Sequence, residues 1–200
     1  EIYRVAALGG TPQKIVRDCM PLVIVSPDNR EIGFVRSDDK SEKMVFVIFN
    51  LETRQERVVW ARGKGELVSG NFAWSPDGGT IACAVRETDE TGSFYRILLV
   101  DPENGSERYL SEKRWRLIEN IVWRDAENLA VIDYEPDSPV NRIWEISRTT
   151  GQARLVADDL NKYQWLSSAN GHLLTVQKNV FSSLLVADFA ENAVAPQAKQ

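Results

Sequence analysis

Short apolar runs separated by turn residues are the dominant pattern along this chain. Four of these runs occupy the same place in a repeating unit, at residues 31–35, 80–85, 128–132 and 173–176. Each run is short, rich in β-branched residues and bounded by polar positions, which is typical of β-strands. No stretch shows helical periodicity over three turns, so the pattern predicts an all-β chain.

A turn motif recurs immediately before these runs. Val25-Ser26-Pro27-Asp28-Asn29 is repeated 49 positions later as Trp74-Ser75-Pro76-Asp77-Gly78. Weaker copies follow at Trp123-Arg124-Asp125-Ala126-Glu127 and at Ser168-Ala169-Asn170-Gly171. Proline presets φ, aspartate caps its own backbone, and glycine or asparagine tolerates positive φ. Each motif therefore predicts a turn between two strands, here called A and B.

The second half of each unit is another hairpin, formed by strands C and D. Residues 95–100 and 142–146 are apolar runs, and each is followed by a five-residue turn and a further strand segment. Residues 44–60 repeat this arrangement, with Arg54 where a turn glycine is expected. A C strand is also expected at residues 184–188. Four strands repeated every 44 to 49 residues predict a β-propeller.

We therefore expect one all-β propeller domain of four-stranded antiparallel blades, about four blades plus a leading half-blade. The leading half-blade suggests that the chain belongs to a larger propeller. The predicted boundaries are 1–18 for the leading C–D hairpin, 19–62 for blade 1, 63–112 for blade 2, 113–158 for blade 3 and 159–200 for an incomplete blade 4.

Composition excludes several classes of function. Lys and Arg total 24 against 29 Asp and Glu, a net charge of −5, which argues against a nucleic-acid partner. No apolar run reaches the length of a membrane span, so direct membrane insertion is not expected. One histidine, His172, and two distant cysteines, Cys19 and Cys83, argue against a metal cluster, a cofactor site or a disulfide framework. No nucleophile and base form a catalytic constellation, so we expect a protein that is not an enzyme.

The best functional lead is the face where the B–C and D–A connections of a propeller meet. The B–C connections, at residues 36–43, 86–92, 134–139 and 178–179, are charged and are expected to be longer than tight hairpin loops. Loops of this kind carry function more often than the framework does. Candidate binding residues on this face are Arg36, Asp38, Arg86, Glu87, Tyr134, Asp137 and Lys178, together with Arg114 and Trp115 from a D–A connection.

Two interpretations of Trp115 remain open. An exposed tryptophan flanked by Arg114 and Arg116 is the type of residue found at binding hot spots. The alternative is that Trp115 wedges between blades 2 and 3.

Ser26-Pro27-Asp28 and Trp74-Ser75-Pro76-Asp77-Gly78 resemble the blade motif of TolB-like bacterial propellers. Ile2-Tyr3-Arg4-Val5 with Leu8-Gly9-Gly10-Thr11-Pro12 is similar to a narrower subset, the propellers attached to membrane-anchored serine/threonine kinases and winged-helix regulators. The resemblance covers nearly the whole chain. It implies a periplasmic or otherwise extracytoplasmic domain that binds a protein, a peptide or a small ligand.

The leading hypothesis is a non-catalytic sensor or interaction module of a longer protein. One alternative is a substrate-gating propeller of a prolyl-oligopeptidase-like serine peptidase, with the catalytic domain outside this chain. Another is an envelope scaffold like TolB itself. Unpaired edges at the terminal strands would also favour self-association.

Overall fold

The computed structural model describes residues 1–63, 66–134, 140–157, 161–169 and 171–178, and these residues form five antiparallel sheets. The first sheet is the hairpin of β1 (Ile2–Arg4) and β2 (Gln13–Val16). The last is the hairpin of β15 (Lys162–Ala169) and β16 (His172–Lys178).

Three four-stranded sheets lie between these hairpins. The first consists of β3 (Val23–Val25), β4 (Glu31–Asp38), β5 (Lys43–Asn50) and β6 (Glu56–Gly63). The second consists of β7 (Leu67–Trp74), β8 (Ile81–Asp89), β9 (Gly92–Val100) and β10 (Glu107–Tyr109). The third consists of β11 (Ile118–Trp123), β12 (Asn128–Tyr134), β13 (Asn141–Ser147) and β14 (Ala153–Ala157).

Each four-stranded sheet is a meander in which consecutive strands are hydrogen-bonded neighbours. The first strands of successive units lie beside one another: β3 contacts β7, β7 contacts β11, and β11 contacts β15. Four-stranded meanders whose first strands lie next to one another are the blades of a propeller. The predicted fold class is therefore confirmed. The C strand expected at residues 184–188 lies outside the described residues.

The hydrophobic core is divided into layers between successive blades. Strand β8 shows how the sequence produces this division, because its side chains alternate between two neighbours. Ile81 and Cys83 pack toward the β3–β6 sheet, whereas Ala82 and Ala84 pack toward the β11–β14 sheet. A middle strand covered on both faces has no polar side, and it therefore appears as an unbroken apolar run. Cys83 is fully buried in the layer between blades 1 and 2.

The Ser-Pro-Asp motif forms its turn through side-chain capping, as the sequence predicted. The Ser75 hydroxyl donates to Asp77 at 2.5 Å and accepts from the amide of Thr80 at 2.9 Å, while Asp77 accepts from the amide of Gly79 at 3.0 Å. The same three bonds recur around Ser26. These turns fix the A–B end of the blades, so the B–C and D–A connections lie at the opposite end.

The C–D turns share one left-handed position. Gly105 and Gly151 have φ of 71° and 69°, and Arg54, at the place where a glycine was expected, has φ of 59°. The amide of each residue donates to the carbonyl four positions earlier, at 2.9 Å. Arg54 therefore adopts the left-handed conformation that glycine adopts in the other two blades. The three C–D turns have the same backbone geometry although the residue differs.

Candidate functional site

Two of the four predicted B–C connections lie within the described residues. Strands β8 and β9 stay paired as far as Asp89 and Gly92, so the expectation of a longer loop is wrong there, because backbone pairing continues through the charged positions. Strands β4 and β5 stay paired as far as Asp38 and Lys43, which leaves a loop of four residues. The candidate side chains therefore project from rigid strand ends.

Arg36 and Asp38 are occupied by interactions within the protein. The Arg36 guanidinium donates to both carboxylate oxygens of Glu56, at 2.8 and 2.9 Å, and to the carbonyl of Asp18 at 3.1 Å. The bond with Glu56 raises the pKa of Arg36. Asp38 accepts from the Ser41 hydroxyl at 2.6 Å, which lowers its pKa. Both residues stabilise their own blade.

Arg86, Glu87 and Arg114 line one common groove, called here the arginine groove. It has a volume of about 720 Å³ and lies between blades 1 and 2 at the B–C end. The end of β8, the start of β9 and two D–A connections form its walls, which confirms that B–C and D–A connections share a face. Its lining residues are Arg62, Glu66, Val85, Arg86, Glu87, Thr88, Asp89, Phe94 and Arg114.

Arg86 is one of two exposed arginines that line the arginine groove, Arg114 being the other. Its backbone amide donates to the carbonyl of Glu66 at 2.8 Å, which joins the connection before β7 to strand β8. Its guanidinium donates to the hydroxyl of Ser93 at 2.9 Å, across the hairpin of β8 and β9. Ser93 in turn shares a hydrogen bond with Thr88. A hydroxyl pair thus orients the Arg86 side chain.

Glu87 is tied to the outer part of its own blade. It accepts a short hydrogen bond from the Tyr109 hydroxyl and lies 3.9 Å from the guanidinium of Arg96. Arg96 also stacks on the Tyr109 ring at 3.7 Å. Burial and the bond to Glu87 raise the pKa of Tyr109, so the phenol remains a donor at neutral pH.

Arg114, in the connection before β11, lines the same groove. Its guanidinium donates to Asp89 at 2.6 Å and stacks on the Phe94 ring at 4.1 Å. The pKa of Asp89 is lowered, chiefly by the hydrogen bond from the Thr91 hydroxyl and further by Arg114. Arg114 and Phe94 therefore form one stacked wall with a fixed position.

Trp115 is not an exposed hot-spot residue. Only 2 % of its surface is accessible, and it packs between the β7–β10 and β11–β14 sheets, edge-on to Trp144 at 5.8 Å. Its amide and carbonyl both bond to Tyr95, at 2.9 and 2.8 Å, so the backbone turns the indole inward. The hot-spot interpretation is wrong, and the alternative wedge between blades 2 and 3 is confirmed.

Tyr134 lies in a second, smaller cleft between blade 3 and the β15–β16 hairpin. The Lys162 ammonium lies 5.0 Å from its ring centre, and Lys178 is the cross-strand partner of Lys162. Glu119 lines the same cleft, and burial raises its pKa. Asp137 lies outside the described residues. Of the candidate residues, Arg86, Glu87 and Arg114 thus line the arginine groove, and Tyr134 lines the second cleft.

Three of the nine residues that line the arginine groove were candidates from the sequence, namely Arg86, Glu87 and Arg114. Thr88 and Asp89 lie in the predicted B–C connection at 86–92 but were not named. Arg62, near the end of β6, Glu66, in the connection after it, and Val85, in a predicted strand, were missed. Phe94 was missed as well, because it lies between the predicted connection at 86–92 and the predicted strand at 95–100, whereas β9 in fact begins at Gly92. The charged stretch at residues 62–66 was the signal that could have revealed Arg62 and Glu66.

The described residues contain no group of three or more His, Cys, Asp or Glu side chains that could hold a metal ion. Cys19 and Cys83 are free thiols. Among the described parts of the chain, no helix is long and apolar enough to cross a membrane.

No protein-family model and no curated protein matches this sequence. Similarity is found to solved structures. TolB from Acinetobacter baumannii has a TM-score of 0.63 and 14% identity, over 86% of this chain and 44% of TolB. An oligogalacturonate lyase in complex with manganese has a TM-score of 0.69 and 14% identity, over 88% of this chain and 52% of the lyase.

The β-propeller domain of the Trilobed protease from Pyrococcus furiosus has a TM-score of 0.60 and 14% identity, over 88% of this chain and 55% of that structure. The chain thus spans about half of each of these three structures. At such identities the likeness establishes the TolB-like propeller fold and no activity.

Proposed function

We propose that this chain is a non-catalytic binding module whose partner, a protein, peptide or small ligand, docks on the face of the B–C and D–A connections. The observation that carries this proposal is the arginine groove. Residues of two blades and two connections line it, and the paired ends of β8 and β9 hold most of them. Pre-organised side chains lose little conformational entropy when a partner binds.

The sequence supports a role without catalysis. It contains one histidine, and neither Cys19 nor Cys83 has a base placed beside it by the sequence pattern. The groove is lined with arginines, carboxylates and a phenylalanine, which are residue types that commonly contact ligands at binding sites.

The resemblance to TolB-like propellers supports an extracytoplasmic location and a sensor or interaction role within a longer protein. The partial coverage of the neighbours is consistent with a larger parent propeller. A second candidate is the substrate-gating propeller of a serine peptidase. The likeness to the propeller domain of the Trilobed protease favours it, and a nucleophile elbow elsewhere in the parent protein would distinguish it from the first.

A peptide-display selection on the immobilised chain, followed by hydrogen–deuterium exchange of the complex, tests the proposed function. We expect slower exchange at residues 86–94 and 112–116 in the complex. The A–B turns at 26–30 and 75–79 lie at the other end and serve as the internal control. Protection confined to those turns, or the absence of any retained peptide, would contradict the proposal.

A further inference from the structure

The junction between blades 2 and 3 holds a guanidinium that the protein itself supplies. Arg148 follows the C strand of blade 3, and its guanidinium donates to the Asp77 carboxylate at 2.6 Å and to the Thr80 hydroxyl at 2.5 Å, both in blade 2. The guanidinium lies 5.4 Å from the ring centre of Trp123, at the end of β11 in blade 3. A carboxylate of one blade and an indole of the next thus form a binding site for a guanidinium.

The junction between blades 1 and 2 has the same carboxylate and the same indole. Asp28 and Asp77 are the aspartates of the two Ser-Pro-Asp turns, and Trp74 and Trp123 end the A strands of successive blades, with 49 positions between the members of each pair. Trp123 is 5% exposed, whereas Trp74 is only partly buried. Of these two equivalent junctions, the first therefore leaves its indole accessible.

The arginine is absent from the first junction. Arg148 and Pro102 each lie three residues before the left-handed glycine of a C–D turn, so Pro102 stands at the position of the arginine. A proline side chain has no hydrogen-bond donor. Within the described residues, the cation nearest to the Asp28 carboxylate is Arg30, at 4.0 Å, and both of these side chains are more than half exposed.

A cleft of about 400 Å³ lies at the first junction and is called here the acidic cleft. Four carboxylates and one indole are among the groups that line it: Asp28, Glu31, Asp77, Glu103 and Trp74. The indole N–H of Trp74 donates to the carbonyl of Gly78 at 2.9 Å, which holds the ring in its own blade. A ligand therefore meets an indole whose position is already fixed.

The charges of the acidic cleft leave a place for one more cation. Arg148 binds one of the four carboxylates, and Arg57 lies between two others, 3.1 Å from Glu31 and 3.5 Å from Glu103. Among the described residues, two guanidiniums thus serve three carboxylates at close range. Asp28 is the fourth, and it is the carboxylate that corresponds to the one held by Arg148 in the next junction.

We infer that the acidic cleft binds the guanidinium of an arginine side chain from a partner peptide or protein. The guanidinium donates to Asp28 and lies over Trp74, as Arg148 does with the equivalent residues of the next junction. Arginine is preferred to lysine, because a planar guanidinium both stacks on an indole and presents paired donors. The cleft lies at the end opposite the arginine groove, so this inference goes beyond the proposed function.

The probe that tests this inference is N-acetylarginine amide, compared with the corresponding lysine and citrulline compounds. Citrulline keeps the shape of arginine and loses its charge. Each compound is titrated into the ¹⁵N-labelled chain while the indole N–H signals of Trp74 and Trp123 are followed by NMR. We expect the arginine compound to bind about tenfold more tightly than the citrulline compound, and more tightly than the lysine compound.

The two indoles give the titration an internal control. The Trp74 signal should move on binding, whereas the Trp123 signal should not, because Arg148 already occupies its junction. Equal binding of the arginine and citrulline compounds would overturn the inference, as would a shift of Trp123 as large as that of Trp74.

Removal of the Asp28 charge tests the proposed anchor. Asp28→Asn keeps a side-chain oxygen to accept from the Ser26 hydroxyl, and it is expected to weaken binding of the arginine compound about tenfold. Glu52→Gln, which removes one carboxylate charge from the C–D turn of the same blade, is the matched control and should bind as the parent does. Unchanged binding by a folded Asp28→Asn variant would refute the inference.

A second variant restores the missing arginine. Pro102→Arg places a guanidinium of the protein beside the acidic cleft, and it is expected to compete with the arginine compound and weaken its binding about tenfold. Pro102→Ala leaves the cleft open and is the control. If Pro102→Arg binds the arginine compound as tightly as Pro102→Ala does, the correspondence with Arg148 is wrong and the inference falls.

This inference and the proposed function are judged at different residues. A peptide library without arginine preserves the A–B turns as the control of the exchange experiment described above. Protection of residues 26–30 and 75–79 by arginine-containing peptides supports the inference, and equal protection by arginine-free peptides overturns it. Protection of residues 86–94 concerns the proposed function alone.

Discussion

The guanidinium of Arg148 donates to the carboxylate of Asp77 at 2.6 Å, across 71 positions of the chain. It also donates to the Thr80 hydroxyl at 2.5 Å and to the carbonyl of Ala126 at 3.2 Å. Arg148 follows β13 in the third blade, whereas Asp77 and Thr80 belong to the A–B turn of the second. One side chain therefore joins two blades at the end opposite the arginine groove.

This relationship predicts a pH dependence of stability. Hydrogen bonds from the Ser75 hydroxyl and from Arg148 lower the pKa of Asp77 from 3.8 to about 2. A carboxyl whose pKa is lower in the folded state stabilises the protein above its unfolded pKa, and this contribution is lost as pH falls from about 4 to about 2. Because Asp77 is partly exposed, solvent screening limits the effect to about 1 kcal/mol.

Asp77→Asn is therefore expected to unfold more easily than the parent at pH 6, by about 1 kcal/mol, with the difference shrinking toward pH 2. Urea unfolding at several pH values, monitored by tryptophan fluorescence, measures the difference in free energy of unfolding and its change with pH. Glu52→Gln, an exposed substitution in a C–D turn, is the control. A difference that stays constant between pH 6 and pH 2 would contradict the assignment.

The two kinds of C–D turn predict opposite effects of substitution. A Cβ atom added to Gly105 would lie 2.2 Å from the backbone carbonyl oxygen of Val59 in the preceding blade, and φ is already left-handed. Gly105→Ala is expected to destabilise the protein by about 2–4 kcal/mol, because strain and overpacking add. Arg54→Gly relieves the left-handed strain and is expected to stabilise it by about 0.5–1 kcal/mol.

Differential scanning calorimetry of both variants measures this pair, and at this chain length each kcal/mol corresponds to about 2–4 °C in Tm. Effects of the same sign at the two positions would show that the turns are not equivalent.

The fold was predictable because its signals are local. Turn chemistry such as Ser75-Pro76-Asp77 acts within five residues, and the alternating apolar positions of β8 need only the next blade to cover them. The candidate site was predictable only in part. The sequence placed Arg86 and Arg114 on one face, where the structure has the arginine groove. It could not show that Arg36 is bound by Glu56, because side-chain pairing across three strands leaves no sequence pattern.

Trp115 shows that the sequence also could not predict which side chains are buried. Its charged neighbours in the sequence suggested exposure, yet the hydrogen bonds to Tyr95 direct it into the core. The charged neighbours show that the segment lies at the surface. Whether one side chain of that segment is buried depends on the strand with which its backbone pairs.

The burial of Trp115 predicts a large loss of stability on truncation. Trp115→Ala removes an indole from the layer between blades 2 and 3 and is expected to cost about 3–5 kcal/mol. Trp165→Ala is the matched control, since that tryptophan is 69% exposed. Chemical unfolding of the two variants gives the comparison. A loss for Trp115→Ala no larger than that for Trp165→Ala would contradict the wedge.

Self-association through the terminal strands is a further prediction. Tyr3 and Val5 near the first strand, and Leu174 and Val176 on β16, the last described strand, are each more than half exposed. Apolar side chains beside strand edges favour pairing between molecules. Sedimentation velocity at increasing concentration should show a rising weight-average sedimentation coefficient, and Leu174→Ser with Val176→Ser should reduce it. Val58→Ser on β6 should not, and a concentration-independent monomer would contradict the prediction.

The two thiols predict a chemical probe of unfolding. Cys83 is fully buried between blades 1 and 2, where reagents do not reach it, and burial raises the pKa of its thiol, which disfavours the reactive thiolate. Cys19 is partly exposed in the connection before β3. Titration with a disulfide reagent at pH 8 should therefore modify Cys19 rapidly, and Cys83 only as fast as the blades separate. In denaturant both should react at once, and Cys19→Ser isolates the slow reaction. Rapid modification of Cys83 in the native Cys19→Ser variant would show that the layer between blades 1 and 2 opens without global unfolding.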